Sequence, residues 1–274
     1  MRPFEGLRVI DTTHVLAGPF AAYQLAVLGA DVIKIEAPDD MDQSREQGPD
    51  EDLNRDCMGT YYLTQGSNKR SVTLNLKHEK GRDLFRKLVA DADVLIENYR
   101  AGAFQSMGLG YEDLAIINER LIYCSMTAFG QAGPRAGQTA YDFQIQGTSG
   151  VMASTGTPEV NPIKVGPPVI DYSTGTMSAF AIASALFQRE RTGRGQYIDL
   201  AMLDVALILM SADITNTRWT GEGPKPSGND FPLAGVRCYP TKDGLLMVGA
   251  MNRHQHGTTG EVHLRLLCQY RLRL

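Results

Sequence analysis

The sequence of 274 residues is poor in features that would assign it at once to a class of protein. Its 27 lysines and arginines against 31 aspartates and glutamates give a net charge of −4, so no general basic field attracts nucleic acid or an acidic membrane. No apolar run reaches the roughly 18 residues of a membrane span, and the start has no signal-peptide pattern. We therefore expect a cytoplasmic protein without a nucleic-acid or membrane partner.

Cysteine is also scarce, and its spacing carries no metal or disulfide signature. The four cysteines are far apart with no CxxC pair, at Cys57, Cys124, Cys238 and Cys268. This spacing argues against a zinc ribbon or a disulfide framework. Three of the five histidines fall in the last 22 residues, where an amphipathic helix explains them as easily as a metal site does. No metal is predicted.

What the chain has is an alternation of strand and helix patterns. "LRVIDTT", "AAYQLAVLGA" and "DVIKIEAP" form a β-α-β unit, and the same order recurs to about residue 199. Such alternation predicts an α/β fold, with a Rossmann-like parallel sheet covered by helices on both faces. Residues 200–230 are predicted to form a helix and a linker. Residues 231–274 are predicted to start a smaller second domain with a hairpin around "TKDG", followed by an atypical tail.

A Rossmann-like fold raises the question of a dinucleotide cofactor. Glu36 ends the second strand, where an acid can bind a ribose hydroxyl. The first turn, however, reads "HVLAGPFAAY" and lacks the GxGxxG spacing that lets the backbone approach a pyrophosphate. No nicotinamide or flavin cofactor is expected.

The stretch "VGPPVIDYSTGT" places Asp171 after an apolar run and just before a helical pattern. One interpretation is structural, with Asp171 as the N-cap of that helix. The other is functional. A carboxyl group with an ordinary pKa near ~3.9 is ionised at neutral pH and can act as a nucleophile without a partner base. The residues alone leave both interpretations open.

Several stretches in one order resemble the family III CoA-transferases, which include formyl-CoA transferase, carnitine CoA-transferase and the α-methylacyl-CoA racemases. The similarity runs from residue 4 to about residue 252 and includes "NKRSVTLNLK", "ADVLIENYRAGAFQSMGL" and "DYSTGTMSAFAIASALFQRERTGRGQYIDLAMLD". The resemblance implies a Rossmann-like large domain without dinucleotide function, a small domain and an interlocked homodimer. It implies coenzyme A thioester as a substrate and no resident cofactor.

The resemblance also implies a role for Asp171, as the nucleophile that attacks the thioester carbonyl of an acyl-CoA. The resulting anhydride keeps the acyl group activated, so CoA passes to a second carboxylic acid. The partners are then an acyl-CoA and a carboxylic acid. Backbone N–H groups from Thr174 to Thr176, where the helix is expected to start, or in a nearby Gly loop, are candidates to stabilise the oxyanion.

Positions that match the family's CoA site can be named one by one. The resemblance assigns CoA contacts to His14, Val15, Ala17, Leu74, Lys77, Asn98, Tyr99 and Arg100. Two positions depart from relatives that carry arginine there, namely Ala37 and Ser106. Arg100 or Arg70 is the candidate to compensate through a phosphate contact.

Tyr141 separates the two main activities of the family. The family's racemases use a histidine at this position, whereas a phenol with a pKa near ~10 is a poor base at neutral pH. The sequence therefore favours CoA transfer, with racemisation as the alternative and Tyr141 in the substrate pocket or packed against the sheet. Relatives are usually longer, so a truncated, non-catalytic remnant or an interaction partner is a further alternative.

Overall fold

The computed structural model describes residues 1–231 and 236–249. Its centre is a six-stranded, fully parallel sheet in the order β3-β2-β1-β4-β5-β6. The strands are β1 (Arg8–Asp11), β2 (Asp31–Glu36), β3 (Lys69–Thr73), β4 (Val94–Glu97), β5 (Ile122–Thr127) and β6 (Gln196–Ala201). The predicted α/β fold with a parallel sheet is confirmed.

Helices cover both faces of the sheet, because strands buried on two sides need apolar cover on each. The helices are α1 (Ala17–Val27), α2 (Glu51–Arg55), α3 (Thr60–Gly66), α4 (Glu79–Ala90), α5 (Ala103–Ser106), α6 (Tyr111–Ala115), α7 (Asp142–Ser149), α8 (Val151–Ser154), α9 (Val169–Thr192), α10 (Met202–Leu209) and α11 (Ser211–Thr220), with a 3-10 turn at Gln43–Glu46. Helices α1 and α9 share one apolar cluster with the sheet, and α4, α5 and α6 share a second. A third cluster joins α7, α8 and α10 to the start of α9.

Gly175 allows α1 and α9 to pack closely. A Cβ atom at this position would lie 2.6 Å from the carbonyl oxygen of Ala17 and 2.8 Å from the ring of Phe20. Real Cβ atoms do not approach a backbone oxygen that closely. The glycine therefore lets the first half of α9 lie against the start of α1, which brings both helix N-termini to one edge of the sheet.

The strand order creates a cleft at the carboxyl edge of the sheet. From β1 the chain runs outward through β2 and β3, and it then returns to the other side of β1 to add β4, β5 and β6. The segments after β1 and β4 therefore leave their strands in opposite directions. Ligands of open α/β sheets bind in the crevice at such a switch point.

The segment after the sheet contains the predicted hairpin, formed by β7 (Val236–Pro240) and β8 (Leu245–Gly249). The backbone N–H of Thr241 donates to the carbonyl of Gly244 at 2.8 Å and closes the turn. The predicted boundary at residue 199 falls within β6, and the three-part division of the chain stays a prediction. The predicted tail beyond residue 249 lies outside the described residues.

Within residues 1–231 and 236–249, every helix is too short or too polar to cross a bilayer.

Candidate active site

A cavity of about 420 Å³ lies at the carboxyl edge of the sheet. Its walls come from the turns after β1 and β4, the end of β5 and the start of α9. Most of the residues predicted as site residues line it, namely His14, Val15, Ala17, Asn98, Tyr99, Arg100, Tyr141 and Asp171. The fold thus gathers into one space residues that are up to 157 positions apart in the chain.

Three of the predicted candidates lie elsewhere. Leu74 packs against the apolar cluster under α4, and its N–H donates to the carbonyl of Glu36. Lys77 is exposed outside the cavity lining. Arg70, the candidate for a compensating phosphate contact, pairs instead with Asp31 at the start of β2, with 2.6 Å between Nη2 and Oδ2. A CoA contact by Leu74 or Lys77 stays a prediction, whereas Arg100 does line the cavity.

Two strand-end turns are tied together at the cavity wall. The His14 N–H donates to Asn98 Oδ1, and Asn98 Nδ2 donates to the His14 carbonyl, both at 2.9 Å. The His14 Nε2 atom also lies 3.2 Å from the Tyr99 hydroxyl. Burial and the positive charge of Lys34 lower the pKa of His14, which favours the neutral imidazole. The turns after β1 and β4 therefore behave as one wall with a neutral histidine on it.

A cluster of buried ions supports this wall from below. Lys69 Nζ lies 2.8 Å from Asp11 Oδ2, and Lys34 Nζ lies 3.0 Å from Asp42 Oδ2, with every one of these side chains at most 1% exposed. Burial alone would raise the pKa of Asp11, but the charges of Lys69 and Lys34 outweigh it and lower that pKa to about 2. The carboxylate of Asp11 is thus ionised and paired at all ordinary pH values.

Asp171 occupies the first turn of α9 and is not its N-cap. The helix begins at Val169 with Pro168 at the N-cap position, so the N-cap interpretation of Asp171 is wrong. The capping oxygen comes from α7: Asp142 Oδ2 accepts the N–H groups of Ile170 at 2.7 Å and of Asp171 at 3.1 Å. The carboxyl group of Asp171 is therefore free of a capping role and lines the cavity.

The ionisation of Asp171 also differs from the expectation. Burial, and then the negative charge of Asp142, raise the pKa of Asp171 to about 7. The sequence alone predicts a carboxyl group that titrates at ~3.9 and is fully ionised at neutral pH. It is instead divided between its protonated and ionised forms there, as is common for groups at functional sites.

The predicted oxyanion donors do not lie at the start of α9. Because α9 begins at Val169, the N–H groups of Thr174 to Thr176 lie inside the helix and are bonded within it. The N-terminus of α1 offers an alternative, since it has no side-chain cap and its first residue, Ala17, lines the cavity. The first N–H groups of a helix have no partner within it and favour negative charge.

Comparison with known proteins decides the family. Residues 4–262 match the family described as CoA-transferase family III. The chain belongs to this family. Among curated relatives it is 41% identical over 257 residues to the succinate–glutarate CoA-transferase of Agrobacterium fabrum, and 42% identical over 257 residues to the acetyl-CoA:oxalate CoA-transferase of Acetobacter aceti. Each alignment covers 92% of this chain, which spans 64% of the relative's length.

A solved structure supports the same family assignment. The CAIB/BAIF family protein of Brucella suis superposes with a TM-score of 0.85 at 39% identity, over 98% of this chain and 71% of that one. The likeness to this family member therefore covers nearly the whole of the chain.

Twelve further residues, which the sequence did not predict as site residues, also line the cavity. The missed lining residues are Leu16, Asp40, Met41, Gln43, Ala101, Met126, Thr127, Ala128, Gln138, Thr139, Ala140 and Met202. Many of them follow the carboxyl ends of β2, β5 and β6, so the rule that ligands bind at the carboxyl ends of parallel strands could have found them. The loop from Gln138 to Ala140 carries no comparable signal.

The question of a metal site concerns the clustering of His, Cys, Asp and Glu side chains. Across residues 1–231 and 236–249, three or more His, Cys, Asp or Glu side chains nowhere cluster in a way that could hold a metal ion. The histidines of the tail, which raised the question of a metal, lie outside the described residues.

Proposed function

We propose that the protein transfers CoA from an acyl-CoA thioester to a carboxylic acid through an anhydride formed on Asp171. The observation that supports this proposal is the position of Asp171. Its carboxyl group lies in one cavity with the turns at His14–Ala17 and Asn98–Arg100, which are the predicted CoA contacts. A nucleophile and its thioester substrate would thus meet at the switch point of the sheet.

The chemistry proceeds in four balanced steps. A carboxylate oxygen of Asp171 attacks the thioester carbonyl, the C–S bond breaks, and CoA leaves as the thiolate from an aspartyl anhydride. The thiolate then attacks the aspartyl carbonyl, which releases the first acid as its carboxylate and leaves an aspartyl-CoA thioester. The second carboxylate attacks this thioester to form a new anhydride and free thiolate. Attack of the thiolate on the new acyl carbonyl gives the product thioester and regenerates Asp171.

The cavity supplies two elements that this chemistry needs. The nucleophile is the ionised form of Asp171, whose pKa of about 7 makes it available at and above neutral pH. The uncapped start of α1 at Ala17 is our candidate for the oxyanion donors, because helix N-terminal N–H groups stabilise developing negative charge. No resident cofactor is required, since CoA enters and leaves as part of the substrates.

The acceptor is proposed to be a short dicarboxylic acid. The names of the two curated relatives pair succinate with glutarate, and acetyl-CoA with oxalate. Arg100 and the side chains of Gln138 and Thr139 line the cavity and could receive a second carboxylate. The cytoplasm, predicted from the sequence, stays the proposed compartment.

We infer a homodimer from the family assignment and from exposed apolar side chains. Phe180 and Phe187 on α9 are 67% and 62% exposed, and Ile208 on α10 is 55% exposed. Phe180 and Ile208 line one groove with Val169 and Leu209, and a contiguous exposed apolar patch marks an interaction site. Light scattering tests this inference, and a stable monomer would oppose it.

The activity is tested by incubating the purified chain with succinyl-CoA or acetyl-CoA and either glutarate or oxalate. A new CoA thioester, separated by chromatography, is the expected result, and Asp171→Asn should abolish it because an amide cannot form the anhydride. Hydroxylamine added to the wild-type reaction should convert Asp171 to a hydroxamate that peptide mass spectrometry detects.

Other outcomes identify the alternatives. Deuterium incorporation next to the thioester of a 2-methylacyl-CoA in D₂O, without CoA transfer, would indicate racemisation. Neither turnover nor adduct would indicate a non-catalytic chain or an interaction partner. Full turnover by the Asn variant would reject the mechanism.

A further inference from the structure

The turn after β1 contains a strained backbone position in the cavity wall. Val15 has a φ of +70° and lines the cavity. A β-branched residue rarely adopts this left-handed conformation, which persists only where the surrounding structure enforces it.

Two hydrogen bonds that flank His14, one of them to the N–H of Val15, lead to one buried ion pair. The Val15 N–H donates to Asp42 Oδ1 at 3.0 Å, and the carbonyl of Thr13 accepts from Lys34 Nζ at 2.6 Å. Lys34 and Asp42 are joined to each other at 3.0 Å and are each 1% exposed. The pair therefore forms hydrogen bonds with the backbone on both sides of His14.

Further hydrogen bonds fix the position of the Asp42 carboxylate. Its Oδ1 atom also accepts the N–H of Ser44 at 3.1 Å and the Ser44 hydroxyl at 2.7 Å. Burial would raise the pKa of Asp42, but the charge of Lys34 and these hydrogen bonds outweigh it and lower that pKa, so the carboxylate stays ionised. The neighbouring residues Met41 and Gln43 line the cavity, which connects this carboxylate to a second wall.

We propose that the buried Lys34–Asp42 pair is a positioning device that holds Val15 in its left-handed conformation and so shapes the wall that CoA contacts. The proposal rests on the proposed function for the identity of the ligand. Neither residue touches the ligand, because both are buried below the turn. A pair that served only the stability of the sheet would not depend on the conformation of Val15.

The decisive experiment compares Asp42→Asn with the double variant Asp42→Asn/Val15→Gly. Loss of the carboxylate charge should weaken the hold on the turn and raise the Kd for CoA, measured by calorimetry, by about tenfold or more. Glycine adopts positive φ without steric cost, so the double variant should bind CoA more tightly than Asp42→Asn alone, even though it lacks the Val15 side chain. Failure of Val15→Gly to improve binding in this background would overturn the proposal.

Asn68→Gly is the matched control. Asn68 also has a positive φ, at +62°, but it lies outside the cavity lining. Placed in the Asp42→Asn background, this change should leave the Kd for CoA unchanged. Equal recovery by Asn68→Gly would mean that the glycine acts by general stabilisation, which would also overturn the proposal.

Stability measurements test the proposal if Asp42→Asn does not fold or if the wild-type chain does not bind CoA. If Asp42→Asn does not fold, Val15→Gly and Val15→Ala are compared in the otherwise unchanged protein. The glycine form should melt at the higher temperature, and equal midpoints would count against enforced strain. If the wild-type chain does not bind CoA, the proposed function fails. The positioning role is then tested through the free energy of unfolding that Asp42→Asn loses. Val15→Gly should restore it, and Asn68→Gly should not.

Discussion

Asp142 on α7 accepts a hydrogen bond from the backbone N–H of Asp171 on α9 at 3.1 Å, and its charge helps to raise the pKa of the Asp171 side chain. The two effects have one cause. A carboxylate at the N-terminus of a helix is favoured by the helix dipole, and here it replaces the cap that Pro168 cannot provide. The same negative charge opposes ionisation of the nearby Asp171 carboxyl group, whose burial already disfavours its charged form.

The first prediction is that Asp142→Asn lowers the pKa of Asp171. An asparagine oxygen still accepts the helix N–H groups, while the negative charge is removed. The acid limb of the pH dependence of kcat/KM should move to lower pH by about one unit. Burial remains as a cause of the raised pKa, so the limb should stay above the ordinary range for aspartate.

Asp113→Asn is the control for this prediction. Asp113 accepts the N–H of Gly110 at the start of α6 and lies outside the cavity lining. Its replacement should leave the pH profile in place. A profile unmoved by Asp142→Asn, or moved equally by both variants, would show that Asp142 does not set the pKa.

The second prediction concerns stability and uses the same raised pKa. A carboxyl group that titrates near 7 in the folded protein and near its ordinary value in the unfolded chain destabilises the fold once the pH exceeds the unfolded value. Below both values the difference disappears. Asp171→Asn should therefore raise the free energy of unfolding by about 1 to 3 kcal/mol at about pH 8, and by much less at about pH 4.

Chemical denaturation of both proteins at several pH values measures this difference. Circular dichroism shows in parallel that the two folds are alike. A gain that is constant with pH would contradict the assignment of the raised pKa to Asp171.

The site residues that the sequence predicted correctly could be predicted for one physical reason. The turns at His14–Ala17 and Asn98–Arg100 follow buried parallel strands, and parallel strands bring their carboxyl ends to the same edge. The helix start at Val169 and the pKa of Asp171 could not be predicted in this way. The helix start depends on Asp142, which lies 29 residues earlier in the chain and reaches α9 only through tertiary packing. The pKa depends first on burial and then on the charge of Asp142, and both arise only in the folded protein.

The buried ion pairs are likewise features that the sequence could not predict. Lys34 and Lys69 stand in or beside strands, where a sequence pattern alone gives lysine a solvated position. Their side chains are 1% exposed because Asp42 and Asp11 meet them below the cavity. Such pairs become visible only when the strands are placed side by side.

The third prediction compares a buried with an exposed ion pair on the same strand. Lys69→Met should destabilise the protein by about 3 kcal/mol, because it leaves the buried Asp11 carboxylate without its 2.8 Å partner. Arg70→Met removes an exposed pair with Asp31 and should cost less than about 1 kcal/mol. Urea unfolding of the two variants gives both values, and equal costs would contradict the importance of burial.

The last prediction reverses a general rule for glycine in helices. Replacing an interior helical glycine by alanine usually stabilises a protein by up to about 1 kcal/mol, because alanine loses less backbone freedom on folding. Gly147 in α7 should follow this rule, since a Cβ atom there meets only the Met152 sulfur at 3.5 Å. At Gly175 the new methyl group would instead meet the Ala17 carbonyl at 2.6 Å.

Gly175→Ala should therefore destabilise the protein, although it too adds a good helix former. Relief of the contact requires α9 to move away from α1, which would displace Asp171 from the turn at Ala17. We expect a loss of about 1 to 3 kcal/mol in the free energy of unfolding and a fall in kcat that exceeds the change in the KM for acyl-CoA. Thermal and urea unfolding of Gly175→Ala beside Gly147→Ala measures the first effect. Two variants of equal stability would show that α1 and α9 tolerate a wider spacing than their packing indicates.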